Sequence, residues 1–295
     1  MTPDPSGLRA RATVLRALRN WFADHGYLEV PTPVLVPSPA MEPTLFAVSA
    51  HGGFLRTSPE FALKRVLASG LPRIYEIGPC FRDREHGGWH GREFTMLEWY
   101  RAGASLPDLM DEVESLVNAA ADALNRPRPG RWSRQTVREL FRDHTGVDLA
   151  HATAAEISPL DPDDWDGAFF RRWVSDVEPK IKAPTFIDEW PASQAALAEV
   201  RAWRRWPVAC RFEAFVGGVE LANAFLELGD PADQRARFEH AIDAMRRDGE
   251  RPHPLDESLI EAVGRIPPTA GIAMGVDRLV AVLCGWNGIG PGRVV

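Results

Sequence analysis

The sequence predicts an α+β fold: an antiparallel sheet flanked by helices. Strand-like and helix-like segments alternate in uneven blocks, not as a regular βα series. No glycine-rich dinucleotide fingerprint and no P-loop occurs. The run EFTMLEWY (Glu93–Tyr100) alternates residue by residue, as a strand with two different faces must.

In chain order, Ser6 is placed to cap a helix running to about His25, with Gly26 as its stop. Val14, Leu15, Leu18, Trp21 and Phe22 recur along it at helical spacing. GYLEVPTPVLVPSP follows as a short strand broken by prolines, with Pro31 and Pro33 forcing extended backbone. In TSPEFALKRVLASG, Ser58 caps a helix, Pro59 opens it and Gly70 ends it. RIYEIGPCF is a strand leading into the charged stretch FRDREHGGWHGREFTMLEWYR (Phe81–Arg101). Helices are expected over roughly 106–126 and 133–145, capped by Ser105 and Ser133. Region 150–183 is mixed, with one helix around Trp165–Val177. Strands begin in APTFIDEWPASQ and in ACRFEAFVGGVELANAFLEL, the second interrupted at Gly217–Gly218. Pro231 opens a helix to about Arg247, and GIAMGVDRLVAVLCG turns from strand to helix.

The chain of 295 residues is 45% apolar and 25% charged, ordinary for a globular protein. Its formal charge of −7 argues against wrapping nucleic acid by bulk electrostatics, although a local basic pocket is compatible with it. Cys80, Cys210 and Cys284 lie far apart, with neither zinc-ligand spacing nor a disulfide framework. They are expected to be reduced. No signal-peptide core or membrane-length apolar run is visible, so a cytoplasmic protein with no membrane partner is expected.

Three patches carry chemistry. On the Glu93–Tyr100 strand, Phe94, Met96, Glu98 and Tyr100 share one face, and Thr95, Leu97 and Trp99 the other. The first face is either a half-buried sheet face with Glu98 paired to an arginine, or a ligand face. In the second case the ring stacks a planar base, and the carboxylate and phenol meet a cation. Ahead of it, Arg82, Arg84, His86, His90 and Arg92 surround Gly87–Gly88, as either a charged hairpin loop or a loop that folds over phosphates. In GIAMGVDRL, Gly271 and Gly275 permit close backbone approach and Arg278 opens a helix. In VELANAFLEL, Glu220, Asn223 and Glu227 could hold Mg²⁺, bind an ammonium group or form edge ion pairs.

Together these segments resemble class II aminoacyl-tRNA synthetases. DHGYLEVPTP looks like motif 1, FRDRE…EFTMLEWYR like motif 2 and GIAMGVDRL like motif 3. TSPEFALKRVL and GGVELANAFLEL resemble the lysyl branch. WPASQAALA (Trp190–Ala198) is similar to a stretch of its elongation factor P (R)-β-lysine ligases. The resemblance spans about residues 8 to 285 and implies a single catalytic domain over residues 1–295. An anticodon-binding domain is not expected, because the first core helix starts close to Met1.

The implied reaction is ATP-dependent: the amino acid becomes an adenylate, which a lysine of elongation factor P then attacks. By position, Arg82 would grip the α-phosphate, and Phe94 and Arg278 would sandwich the adenine, with Arg278 also reaching the terminal phosphate. His90, Arg84, Glu85, Gly91, Leu221 and Gly275 complete the implied ATP set. Glu220, with Glu227, would bind Mg²⁺. Ser58, Glu60 and Ala273 would face the amino group, with Asn223 nearby, while Glu98, Tyr100 and Glu227 hold the distal ammonium. The alanine at 273 stands where lysyl-tRNA synthetases have glycine, consistent with a β-amino acid. A homodimer is implied, without tRNA anticodon recognition.

Three positions depart from the pattern: Arg84 replaces an acid, Gly91–Arg92 replaces Asn-Pro, and Ala224 replaces Gly. Activation of another amino acid for a different acceptor, or a non-catalytic regulatory paralogue, are the alternative readings.

Overall fold

The computed structural model describes residues 4–42, 45–203 and 206–294. It divides into two compact units, residues 1–128 with 226–295, and residues 129–225.

Four strands of the first unit carry its main sheet among the described residues, beside a smaller sheet of Leu35–Val36, Gly53–Leu55 and Ser49–Ala50. Leu28–Glu29 runs parallel to Arg73–Phe81, which pairs antiparallel with Glu93–Ala102, which in turn pairs antiparallel with Thr269–Gly275. The expected antiparallel ladder therefore carries a parallel edge strand. On one face, Tyr75, Leu97 and Trp99 are buried. The Pro5–Asp24 helix covers them, its Phe22 ring stacked 4.2 Å from Tyr75 and edge-on to Trp99. Glu112 of the Leu106–Ala123 helix accepts hydrogen bonds from Tyr27, Trp99 and Arg101, so this buried carboxylate is satisfied from three sides. On the opposite face Ile74 and Tyr100 pack against Leu63 and Leu67 of the Glu60–Leu67 helix.

Local signals explain the helix ends. The first helix is capped by Asp4, not Ser6. Pro5 occupies the opening position, where its missing N–H costs nothing, so the cap must precede it. Ser6 instead donates its N–H to Asp4 at 2.9 Å. At the second helix Pro59 stands at the boundary, and Ser58 Oγ accepts the Glu60 N–H at 2.9 Å. The helix closes at Leu67, ahead of Gly70, which turns the chain at φ +99°. Ser105 caps the third helix in a reciprocal box with Asp108. Asp230 caps Pro231–Arg247, and Glu257–Val263 is a further helix not foreseen from sequence.

In the second unit Arg211–Val216 pairs antiparallel with Val219–Leu226 across the left-handed Gly217–Gly218 turn, and antiparallel with Thr185–Asp188. Ser133–Thr136 lies parallel to Thr185–Asp188. The helix expected from residue 133 thus starts at Val137. Thr136 and Glu139 form its capping box, whereas the Ser133 hydroxyl is engaged with Thr185. The Trp165–Val177 segment is α-helical to Arg172 and then widens into a π-helical turn. WPASQ is structural here. Trp190 is buried among Phe169, Trp173 and Phe215, while Ser193 and Gln194 both donate to Asp166 at 2.7 Å. All three cysteines are free. No helix among the described residues is long and apolar enough to cross a membrane.

Candidate active site

The site in the first unit grows from the register of three strands. Opposite Glu98 stand Glu76 on one side and Ala273 on the other; opposite Met96, Gly78 and Gly275; opposite Tyr100, Ile74 and Gly271. The Thr269–Gly275 strand therefore presents Gly, Ala, Gly on the face where the central strand presents Tyr100, Glu98 and Met96. Gly271 is required. A Cβ there would lie 2.3 Å from Glu227 Oε1 and 2.4 Å from the Tyr100 ring. Gly78 is equally constrained, its Cβ position lying 2.2 Å from the Arg56 guanidinium. Arg56 is buried and paired with Glu76 at 2.7 Å, and Thr32 donates to the same carboxylate. Glu76 is thus neutralised within the sheet, and Glu98 beside it is not.

Glu98 is buried and accepts hydrogen bonds from two hydroxyls, Ser58 and Tyr100. Burial first, and the neighbouring Glu60 second, push its carboxyl up to about 8. Glu227 is also buried and is raised to about 7 by burial, against the pull of Lys64. Burial and the adjacent carboxylates raise the Tyr100 phenol far above its ordinary range. Between the acids sits a cation that sequence reasoning missed. Lys64 Nζ lies 2.7 Å from Glu60 Oε1 and 2.6 Å from Glu227 Oε2, with its side chain 2% exposed. Burial opposes this ammonium, but Glu227 and Glu60 outweigh burial and hold it charged. Two buried carboxylates pair with the resident ammonium and a third, Glu98, has only hydroxyl partners among the described residues, which makes the cluster a receptor for further positive charge.

At the other end of the central strand the groups are cationic and aromatic. Arg82 follows the last paired residue of Arg73–Phe81, its N–H donating to the Arg92 carbonyl. Its guanidinium lies 5.2 Å from the centroid of the half-buried Phe94 ring, and its Nε is buried without a hydrogen-bond partner. Arg278 donates from Nε to the Trp89 carbonyl, and its Nη2 is 2.7 Å from His90 Nε2. Asp277 ties this helix start to the central strand by accepting the Thr95 N–H at 2.7 Å and pairing with Arg11.

The family model for class II tRNA synthetases (D, K and N) matches residues 5–290. The elongation factor P (R)-β-lysine ligase of Vibrio atlanticus is 37% identical, covering 96% of this chain and 93% of that protein. The enzyme of the same name from Vibrio cholerae is 38% identical, covering 98% and 94%. The lysine–tRNA ligase of Pelotomaculum thermopropionicum is 34% identical over 92% of this chain but 60% of its own length. The chain belongs to the class II tRNA synthetase family, in its elongation factor P (R)-β-lysine ligase branch.

The stretch resembling motif 2 occupies the central strand and its preceding loop, and the one resembling motif 3, GIAMGVDRL, runs from the Thr269–Gly275 strand into the Val276–Cys284 helix. The motif 2 departures now have physical settings. Arg84 takes a left-handed conformation (φ +60°), forms a bidentate pair with Glu250 and lies 3.9 Å over the Phe46 ring. Its charge is committed at the surface, and Glu85 beside it is half-buried. Arg92 pairs with Asp83 at 2.5 Å. At Gly91 a Cβ would meet the Arg293 guanidinium at 2.1 Å, so a side chain there would have to displace that arginine's tip. Ala224, in the second unit, is fully buried opposite Phe212.

Of the predicted site residues, Ser58, Glu60, Glu98, Tyr100, Glu227 and Ala273 cluster around the carboxylates. Arg82, Phe94, His90, Gly91, Gly275 and Arg278 belong to the cationic end. Glu220, Leu221 and Asn223 lie on the Val219–Leu226 strand of the second unit, where Asn223 pairs across to Glu213. Glu220 offers a half-buried carboxylate, a hard oxygen ligand of the kind Mg²⁺ takes. Glu227 does not suit the metal, because an ammonium already sits 2.6 Å from its Oε2. Among the described residues no group of three or more His, Cys, Asp or Glu side chains gathers as a metal centre.

Proposed function

We propose that this chain activates (R)-β-lysine with ATP and transfers it to a lysine side chain of elongation factor P. The observation that carries the reading is the polarity of one strand. Its Glu98–Tyr100 end sits in buried negative charge, and its Phe94 end meets an aromatic–arginine platform. The names of the similar proteins supply the acceptor and the β-isomer.

In the first step the amino acid carboxylate attacks the α-phosphorus of ATP, and pyrophosphate leaves. Arg82, with an unpartnered buried Nε, is the residue for the α-phosphate, and Arg278 covers the adenine and the terminal phosphate. His90 orients Arg278, whose stem lies beside Gly275. Arg84, Glu85 and Gly91 shape the loop over the nucleotide. In the second step a neutral lysine amine attacks the adenylate carbonyl. An amide forms, AMP departs with the bonding pair, and the amine loses a proton. No enzyme nucleophile is needed; positioning and charge neutralisation supply the catalysis. Mg²⁺, when bound with the nucleotide, would screen the phosphates, and Glu220 offers a carboxylate of the kind it takes.

Ala273 stands directly across from Glu98, so its methyl borders the amino-acid groups and favours the β-isomer by about 1–3 kcal/mol. The acceptor is a protein, so we propose a single catalytic domain, used as a homodimer in the cytoplasm, without anticodon recognition. ATP–pyrophosphate exchange tests the reading. Exchange should be driven best by (R)-β-lysine, and elongation factor P should gain the mass of one β-lysyl group. Similarity to a lysine–tRNA ligase favours a second reading, α-lysine activation for another acceptor, which exchange driven best by α-lysine would support. Silence with every amino acid by a folded chain would leave only a non-catalytic role.

A further inference from the structure

We infer that Lys64 is a specificity-determining residue that fits the amino-acid end of the site to a substrate carrying two ammonium groups. This inference rests on the functional reading above. Glu60, Glu98 and Glu227 bring three carboxylates into one buried cluster, and Lys64 brings one fixed cation. Ionised, the cluster stands two positive charges from neutrality. A diamino acid supplies two, its own carboxylate being directed to ATP. A monoamino acid would leave a buried charge uncompensated, which is costly in a dry site.

Geometry gives Lys64 a second task. It engages one oxygen of Glu60 and one of Glu227, coming from a helix that packs on the sheet. Glu227 Oε1, its other oxygen, points to the Gly271–Tyr100 contact beside Glu98. The resident ammonium therefore bridges the two acids and leaves Glu227 Oε1 on the Tyr100 side. Glu98 has hydroxyl partners, not a cation, so it is the acid left for the incoming ammonium. The Glu60-x-x-x-Lys64 spacing sets the first pair within one helix face.

The test is calorimetric binding of amino acid and of ATP, measured separately, to Lys64→Ala. Binding of (R)-β-lysine and α-lysine should weaken by about tenfold or more, with ATP binding changed by less than about twofold. Propylammonium, which restores the deleted atoms as a free cation, should recover amino-acid binding, and propanol should not. If the alanine variant fails to fold, Lys64→Met keeps the packing stem without the charge and should show the same split, with Lys64→Arg binding diamino acids better than Lys64→Met. Norleucine and 6-aminohexanoate, each lacking one amine, should bind wild type weakly. Equal weakening of amino acid and ATP, rescue by propanol as good as by propylammonium, or unchanged diamino-acid binding in Lys64→Met would overturn the inference alone. A wild-type chain that binds no diamino acid would overturn the functional reading, and the inference with it.

Discussion

Glu98 shows what a single residue does when its surroundings deny it a counter-ion. Burial foremost, then the nearby Glu60 and Glu76, raise its carboxyl to about 8, against the opposing hydrogen bonds from the Ser58 and Tyr100 hydroxyls. An ammonium ligand needs the ionised form. The KM for the amino acid should therefore fall as pH rises toward 8, by up to about tenfold per unit, and level off above it. The KM for ATP should not follow. Glu98→Gln should raise the amino-acid KM and remove that pH limb; steady-state kinetics between pH 6 and about 9 reads both. Arg278→Ala should cut pyrophosphate exchange by about 10²-fold or more, with an unchanged circular dichroism spectrum, because it removes preorganised charge near the phosphates and no core packing. Phe94, Glu98 and Tyr100 are legible in the sequence because a two-residue period puts them on one face. Lys64 is not, since its partner Glu227 comes from a segment far along the chain, and only Glu60 stands at a telling distance.

At the scale of elements, the site depends on backbones that come close. Gly271→Ala would drive a methyl into Glu227 and Tyr100, so it should lower the melting temperature and abolish amino-acid binding while leaving Arg82 and Arg278 in place. The buried Arg56–Glu76 pair is a purely structural counterpart. Arg56→Met should cost about 3–5 kcal/mol in urea unfolding, because it strands a buried carboxylate. Strand and helix identities were largely readable where turns are punctuated: Gly217–Gly218 marks a hairpin and Pro231 a helix start. Caps were less so. Ser6 and Ser133 look like caps, but Pro5 and the Thr136–Glu139 box override them locally. The short strands Ser49–Ala50, Gly53–Leu55 and Val200–Trp203 carry too few residues for a period to register.

For the whole molecule, the buried acids link stability to pH. Glu98 and Glu227 have raised values in the folded chain, so the folded state keeps protons that the unfolded chain releases near pH 4.3. Stability should accordingly decline as pH rises from about 4.3 to about 8. A diamino acid should offset the decline, so thermal melts at pH 6 and about 8.5 with and without lysine should diverge most at the higher pH. The fold class was visible because three separated motifs occur in order. The parallel edge strands were not, because a two-residue pairing such as Leu28–Glu29 on Ile74–Tyr75 leaves no trace in composition.

Gly7 lies so near the Pro291 carbonyl that a Cβ would stand 2.0 Å from it. Almost the entire polypeptide therefore returns to its own starting helix. Joining the chain covalently across that contact would make a ring whose denatured form has lost the freedom of its ends. A closure of that length is worth roughly 5–6 kcal/mol by chain entropy alone. Such a cyclic molecule should melt higher yet turn over as the linear one does.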